Sequence, residues 1–252
     1  MLHTALAVAA ALVSAAFALC TFERWLARRR RHELAWSVAL TFFSMAAFAL
    51  AAGASLGWSP LTFRLFYLFG AIVNVPFLAL GTVYLLAGER RGDQVAVVVG
   101  MGCAFAAGVV LFSPLTAGIP RHELVQGSQV FGPVPRILAA VASGLGALTI
   151  FAGAAWSAWR HRRGRLVAAN VLIALGTLVL SASGLLNSVL GEMDGFAVTL
   201  VAGISVIFAG FLVATGGGPA RSSPAPRAAA ASPAGPGATA SRPARAAAQG
   251  RT

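Results

Sequence analysis

The chain contains no lysine: all 19 of its basic residues are arginines. A retinal Schiff base needs a lysine amine inside the bundle, so a retinal-binding rhodopsin is excluded. Acids are nearly as scarce. The seven that exist, Glu23, Glu33, Glu89, Asp93, Glu123, Glu192 and Asp194, fall in polar connections or at their edges, and so do His3, His32, His122 and His161. No carboxylate sits in the middle of an apolar run to carry a proton or hold a cation, which argues against ion-coupled transport. No histidine pair is placed to ligate haem, and no acids and histidines cluster at metal-ligand spacing. HExxH, GxSxG and a glycine-rich phosphate loop are all missing. The expectation is therefore no catalytic residue, no metal, no cofactor and no enzyme activity. Cysteine is limited to Cys20 and Cys103, and their positions near the end of one apolar run and inside another suit packing better than a disulfide.

What remains is overwhelmingly apolar. Of 252 residues 58% are hydrophobic and 10% charged, and the mean hydropathy is +0.80. A soluble domain needs more polar surface than that, and several apolar runs reach the ~20 helical residues that cross a bilayer. The composition predicts an all-α, polytopic seven-helix bundle, with spans at about 4–22, 34–54, 62–87, 95–112, 137–158, 166–189 and 196–215. Arginines then sort by connection. Sixteen lie on one side: Arg24 and Arg28 to Arg31, Arg90 and Arg91, Arg160, Arg162, Arg163 and Arg165, and five after the seventh span. Only Arg64, Arg121 and Arg136 lie on the other. The positive-inside rule places the N-terminus outside and the C-terminus in the cytoplasm, and the arginine-only, Ala/Gly-rich composition suits a GC-rich bacterial genome and its inner membrane. Trp25, Trp36, Trp156 and Trp159 are expected at the cytoplasmic interface and Trp58 at the outer one. The first apolar run has no leading positive charge and is followed at once by "ERWLARRRR", so it is expected to stay as a span.

After Thr215 the composition shifts to Pro, Ala, Gly, Ser and Arg, with no aromatic or branched aliphatic side chain. The expectation is a seven-transmembrane domain over 1–215 and a disordered cytoplasmic tail over 216–252. Shifting the chain by 133 residues lays Arg29 and Arg30 on Arg162 and Arg163, Ser55 on Ser188, Phe63 on Phe196 and Gly70 on Gly203. These matches raise a 3+1+3 internal repeat, resting on loop lengths more than on identities.

The third span, "FRLFYLFGAIVNVPFLALGTVYLL", carries polar residues that a lipid-facing helix avoids. Arg64, Tyr67, Ala71, Asn74, Leu78 and Gly81 recur at three- and four-residue steps, so a regular helix places them on one stripe. That stripe is expected to face the bundle, with Asn74 bonding a neighbouring helix or a ligand. Pro76 deprives the carbonyl of Ile72 of its donor and predicts a kink, while Ser59 and Pro60 supply a cap and a first helical residue. On the sixth span, Asn170, Thr177, Ser181, Gly184 and Ser188 share a face, with Ser183 and Asn187 one position aside, a pattern equally suited to helix packing. The candidate ligand-facing residues are Arg64, Tyr67, Asn74, Ser181 and Asn187, with Glu192 and Asp194 as expected partners of Arg64. The longest outer connection, Ser113 to Arg136, is rich in proline and is expected to cap itself or to act as a lid.

The seven-span layout with an outside N-terminus, Trp36 opening the second span and "FRLFYLFGAIVNVPFLALG" making the third, resembles the seven-transmembrane sensor region of bacterial histidine kinases and other bacterial seven-helix membrane proteins. The resemblance implies a sensory or partner-binding membrane module without its own output domain. Its partners would be the lipid bilayer and a membrane protein, not nucleic acid, and its ligand is not legible. The alternatives are a passive small-solute facilitator of 3+1+3 layout, and an accessory subunit.

Overall fold

The computed structural model describes residues 2–116, 118–119, 127–160, 164–190 and 193–215, at some positions as backbone only. Met1–Gly216 forms one compact unit, and the tail expected at 216–252 lies outside the described residues. The described unit is all-helical. Its elements are α1 (Leu2–Arg28), α2 (Arg31–Leu56), α3 (Pro60–Tyr67), a π-helical segment Leu68–Val73, α4 (Asn74–Ala87), α5 (Glu89–Phe112), α6 (Gly127–Val130), α7 (Pro133–Arg160), α8 (Gly164–Leu190) and α9 (Met193–Thr215). Five helices, Thr4–Arg28, Arg31–Leu56, Pro60–Ala87, Glu89–Phe112 and Pro133–Ser157, are long and apolar enough to cross a membrane. Two shorter apolar stretches, Val167–Leu180 and Val198–Val213, lie in α8 and α9.

The α1–α2 hairpin turns within two residues, and Arg29 adopts the left-handed conformation (φ 53°) that so tight a reversal requires. Its interface is built from small side chains. Ala7, Ala10, Ala11, Ser14, Ala18 and Thr21 are buried on α1 at helical steps, against Ser37, Leu40, Ser44 and Ala47 of α2. The small residues let the two backbones approach until α2 hydroxyls reach α1 carbonyls: Ser44 donates to Ala11 O at 2.9 Å and Ser37 to Ala18 O at 3.0 Å. At the same end as the turn, Glu33, in the first turn of α2 at the edge of the connection, is buried. Its Oε1 accepts from Arg24 Nε and Nη2 at 3.2 and 3.0 Å, and the guanidinium lies 5.3 Å from the Phe211 ring of α9. That pair joins three helices.

The α8–α9 hairpin uses glycine for the same purpose. A Cβ at Gly176 would come within 2.7 Å of Gly203 O, and one at Gly210 within 2.9 Å of Ala169 O. Ala169 and Gly176 stand one position before Asn170 and Thr177, so the described contact lies beside the polar stripe read from the sequence rather than on it.

Around the bundle, α1 packs on α2 and α9, α2 on α4, α4 on α7, α7 on α8 and α8 on α9. α5 lies to one side, packed chiefly on α4 and the π segment, and is mostly exposed, with Val97, Val98, Met101 and Phe105 uncovered. Chain direction then defines two ends: an arginine end holding Arg28–Arg31 and Arg90–Arg91, and a loop end holding Trp58 and the Ser113–Pro133 connection.

Candidate functional site

The polar residues of the third span converge with the long connection at the loop end. The start of α3 is built as its sequence predicts: Ser59 Oγ accepts from Thr62 N at 3.1 Å, and Pro60 occupies the first turn, where it forfeits no helical bond. One turn on, Arg64 reaches the last turn of α5. Its Nη2 donates to Ser113 O at 2.7 Å and its Nη1 to Val110 O. These carbonyls end a helix and have no intrahelical donor, and a cation there also complements the helix dipole. The described partners of Arg64 are therefore carbonyls. Glu192, proposed from the sequence as its partner, and the side chain of Asp194 lie outside the described residues.

The connection folds back onto this helix. Leu115 and Phe131 form an antiparallel bridge, with Thr116 N and Oγ1 both donating to Val130 O at 2.9 Å. Val130 and Phe131 are consequently buried, and the Phe131 ring lies 5.3 Å from Phe63, 5.0 Å from Tyr67 and 5.8 Å from the Arg64 guanidinium. Tyr67 is pressed against α6 so closely that a Cβ at Gly127 would sit 2.3 Å from its ring. Trp58 belongs to the same cluster. Expected as an interfacial anchor, it folds over Gly53 instead, where a Cβ would clash at 2.5 Å, and it is 6% exposed with its Nε1 unpartnered among the described residues. Trp156 and Trp159, by contrast, are exposed, with their rings 5.7 Å apart and tilted by 55°.

Below this cover the helix changes register. Pro76 has no amide to donate, so the carbonyl four residues back, Ile72, loses its partner in an α-helix and the carbonyl five back, Ala71, loses it in a π-helix. The chain runs as a π-helix over Leu68–Val73, and Ser143 Oγ of α7 donates to Ala71 O at 2.6 Å. The bend expected at Pro76 thus takes the form of a π turn with a side-chain donor from a neighbouring helix.

The π turn inserts one residue into the helical count and rotates everything after it by about 100°. Tyr67 packs on Gly127 and Phe131, the Ala71 carbonyl faces α7, and Val75, Thr82 and Leu86 continue the α7 side, packing on Gly146 and Gly153. Leu78 and Gly81, which regular stepping aligns with Tyr67, face α2 instead. Trp36 Nε1 donates to Leu78 O at 3.2 Å, and a Cβ at Gly81 would meet the indole at 2.2 Å. The six-residue stripe is therefore divided between two neighbours. Asn74 shares the α2 side with Leu78 and Gly81 by the period of α4. It is 4% exposed, and its Oδ1 has no hydrogen-bond partner among the described residues.

Arg64, Tyr67 and the π segment thus meet the Ser113–Phe131 connection in one cluster, while Asn74 lies deeper and on another face. The side chains of Ser181 and Asn187 lie outside the described residues. Sequence reasoning missed Phe131 and Ser143. An aromatic beside Gly132 and Pro133 was a visible signal for the first, whereas nothing in the α7 sequence distinguishes Ser143 from other helical serines. Chemically, the cluster offers aromatic faces, one fixed guanidinium and, deeper, one open amide acceptor. No known protein family, curated protein or solved structure compared with the chain matches it.

Proposed function

We propose that the chain is a seven-span bacterial inner-membrane protein, N-terminus outside and tail in the cytoplasm, acting as a sensory or partner-binding module. The loop-end cover is then its receiving element. One observation carries this: a segment outside the spans, seated by Phe131 and a single bridge, lies on a helix whose hydrogen-bond register changes just beneath it. A ligand or partner that displaces Phe131 uncovers Tyr67 and Arg64. Arg64 holds the end of α5 and the π turn is tied to α7, so displacement reaches two further helices. π turns are rare inside helices and recur at functional positions.

The test is thiol accessibility in a background lacking Cys20 and Cys103. A cysteine at position 67 should react slowly with a membrane-impermeant reagent added outside, and at least tenfold faster when Phe131 is alanine. If position 67 stays unreactive in both while an exposed control at position 118 labels, the cover is not a receiving element.

A second observation favours the facilitator alternative. The pairs α1·α9 and α4·α7 exchange under the two-fold axis that a 3+1+3 repeat requires, with α5 as the linking helix at the side. Uptake of labelled small solutes into reconstituted vesicles separates the two: saturable entry supports the facilitator, and entry equal to that of empty vesicles removes it.

A further inference from the structure

We propose that the arginine end binds the phosphodiester headgroup of an anionic phospholipid, at a site built jointly by the α1–α2 turn and the first turn of α5. The inference rests on the membrane reading of the helices. Two segments about sixty residues apart are latched together there by Arg31, which pairs with Asp93 and lies 3.7 Å from Glu89. Tyr84 Oη donates to Asp93 at 2.8 Å and fixes the carboxylate from the third span. The latch occupies both acids of the α5 start. Arg28, Arg30, Arg90 and Arg91 are exposed with no acidic partner among the described residues, and Arg29 lies 5.1 Å from the Trp25 ring. Arg24, the remaining cation of this hairpin, is committed to Glu33.

The arrangement is electrostatically unsatisfied by itself. Arg31 on α2 and Arg90 and Arg91 on α5 occupy helix first turns, where the dipole disfavours a cation; the acids of those turns, Glu33 and Glu89, are paired with Arg24 and Arg31, and neither Arg30 nor Gly88 provides a side-chain cap. An anion between the two segments would neutralise the guanidiniums and accept from the open backbone amides. The surface next to it selects the kind of anion. Phe22 and Leu26 on α1, and Leu85 and Leu86 at the end of α4, are exposed within two turns of these arginines. A phosphate flanked by apolar helix surface on both sides matches a phospholipid, with its headgroup on the arginines and its acyl chains along the spans. A soluble phosphate or an acidic protein would leave that apolar flank unused. Guanidinium also pairs with phosphate bidentately.

The experiment uses the full chain reconstituted into phosphatidylcholine vesicles, with trace spin-labelled phosphatidylglycerol or phosphatidylcholine reporting lipid association at the protein surface. The parent should prefer phosphatidylglycerol by about 25-fold or more at low salt, and the preference should shrink at 0.5 M salt as charges are screened. Each arginine near the headgroups contributes about fivefold. The double variant Arg30→Gln with Arg90→Gln should therefore lose most of the preference, and Arg30→Lys with Arg90→Lys should keep much of it. The same charge removed elsewhere, Arg162→Gln with Arg163→Gln, should change it less than twofold. Equal losses from the two glutamine pairs would mean a diffuse basic surface and would overturn the site, as would displacement of the lipid by millimolar inorganic phosphate. A parent that reconstitutes but shows no preference overturns this inference alone. A parent that fails to float with vesicles of either lipid overturns the membrane reading and the inference with it.

Discussion

The α1–α2 hairpin and the loop end of the third span solve one problem, holding helices together, with opposite materials. The hairpin buries alanines and hydroxyls, and its backbones come close enough for Ser44 and Ser37 to reach carbonyls across the interface. The loop end buries rings: Phe63, Trp58 and Phe131, with Tyr67 beside them. Small residues leave nothing that can swing away, so such an interface is either formed or broken. Rings on a connection form a cover whose parts have somewhere else to go. The α8–α9 hairpin, built on Gly176, Gly203 and Gly210, belongs with the first kind. The receiving element proposed above is put at the ring-built end for this reason, with the zippered hairpins as the frame it would work against.

Breaking the frame should produce the largest effect. Gly176→Val puts a side chain where even a Cβ lies 2.7 Å from Gly203 O, a backbone atom that cannot step aside. Overpacking of a core typically costs about 1–3 kcal/mol, and a backbone clash belongs at or beyond the top of that range. The melting temperature of the purified protein should fall steeply; a change of only a degree or so would mean that the α8–α9 contact is not tight. Phe131→Ala should come next, at about 3 kcal/mol if the ring is buried as firmly as a core phenylalanine. The cost should stay local. Amide exchange at Thr116, whose N–H bonds Val130 O, should accelerate strongly while the melting temperature moves less than for Gly176→Val. Equal global loss from both variants would erase the distinction between frame and cover.

Ser143→Ala tests the join between cover and frame. It strips the Ala71 carbonyl of its described side-chain donor, for a cost of about 1 kcal/mol. Ser143→Thr, which keeps the hydroxyl, should recover part of it. No loss in either variant would mean that the π turn is satisfied without α7. The smallest effect belongs to Asn74→Leu. Because the Oδ1 is buried without a partner, replacing the amide by an apolar group of similar size should change stability by less than about 1 kcal/mol, in either direction. A markedly larger loss would reveal a partner for that oxygen, a bound water or ligand, and would return Asn74 to the list of ligand-facing residues.

How much could be read in advance depended on the range of the signal. Apolar run length located the long helices, missing the end of α1 and the start of α5 by six residues each where polar residues extend them, because an apolar run is a matter of length and composition. Ser59 and Pro60 were legible because a cap is settled by neighbours in the chain. The six-residue stripe from Arg64 to Gly81 was read by counting at 3.6 residues per turn, and that count fails across a π turn. Pro76 announced an irregularity there, but not whether it would be a bend or an inserted residue. Trp58 was taken for an interfacial anchor on residue type and position, whereas the gap above Gly53 that receives its ring is made by the packed chain. Glu33 lies at the edge of a connection, as its position in the sequence implies, but its burial depends on Arg24 reaching over from the neighbouring helix.

By itself, the sequence determined that the protein is helical and apolar enough to span a membrane, where its helices begin, and that its cations gather in alternate connections. These follow from quantities summed along the chain: hydrophobicity, period and charge. Only the tertiary structure decided which residues share a face beyond the π turn, that Phe131 closes over Tyr67 and Arg64, and that Arg31 pairs with Asp93 and Glu89 and so ties the α1–α2 turn to the start of α5. Those outcomes depend on contacts between residues tens of positions apart, and a contact of that kind is selected by the fit of two packed surfaces, which no local pattern in either segment encodes.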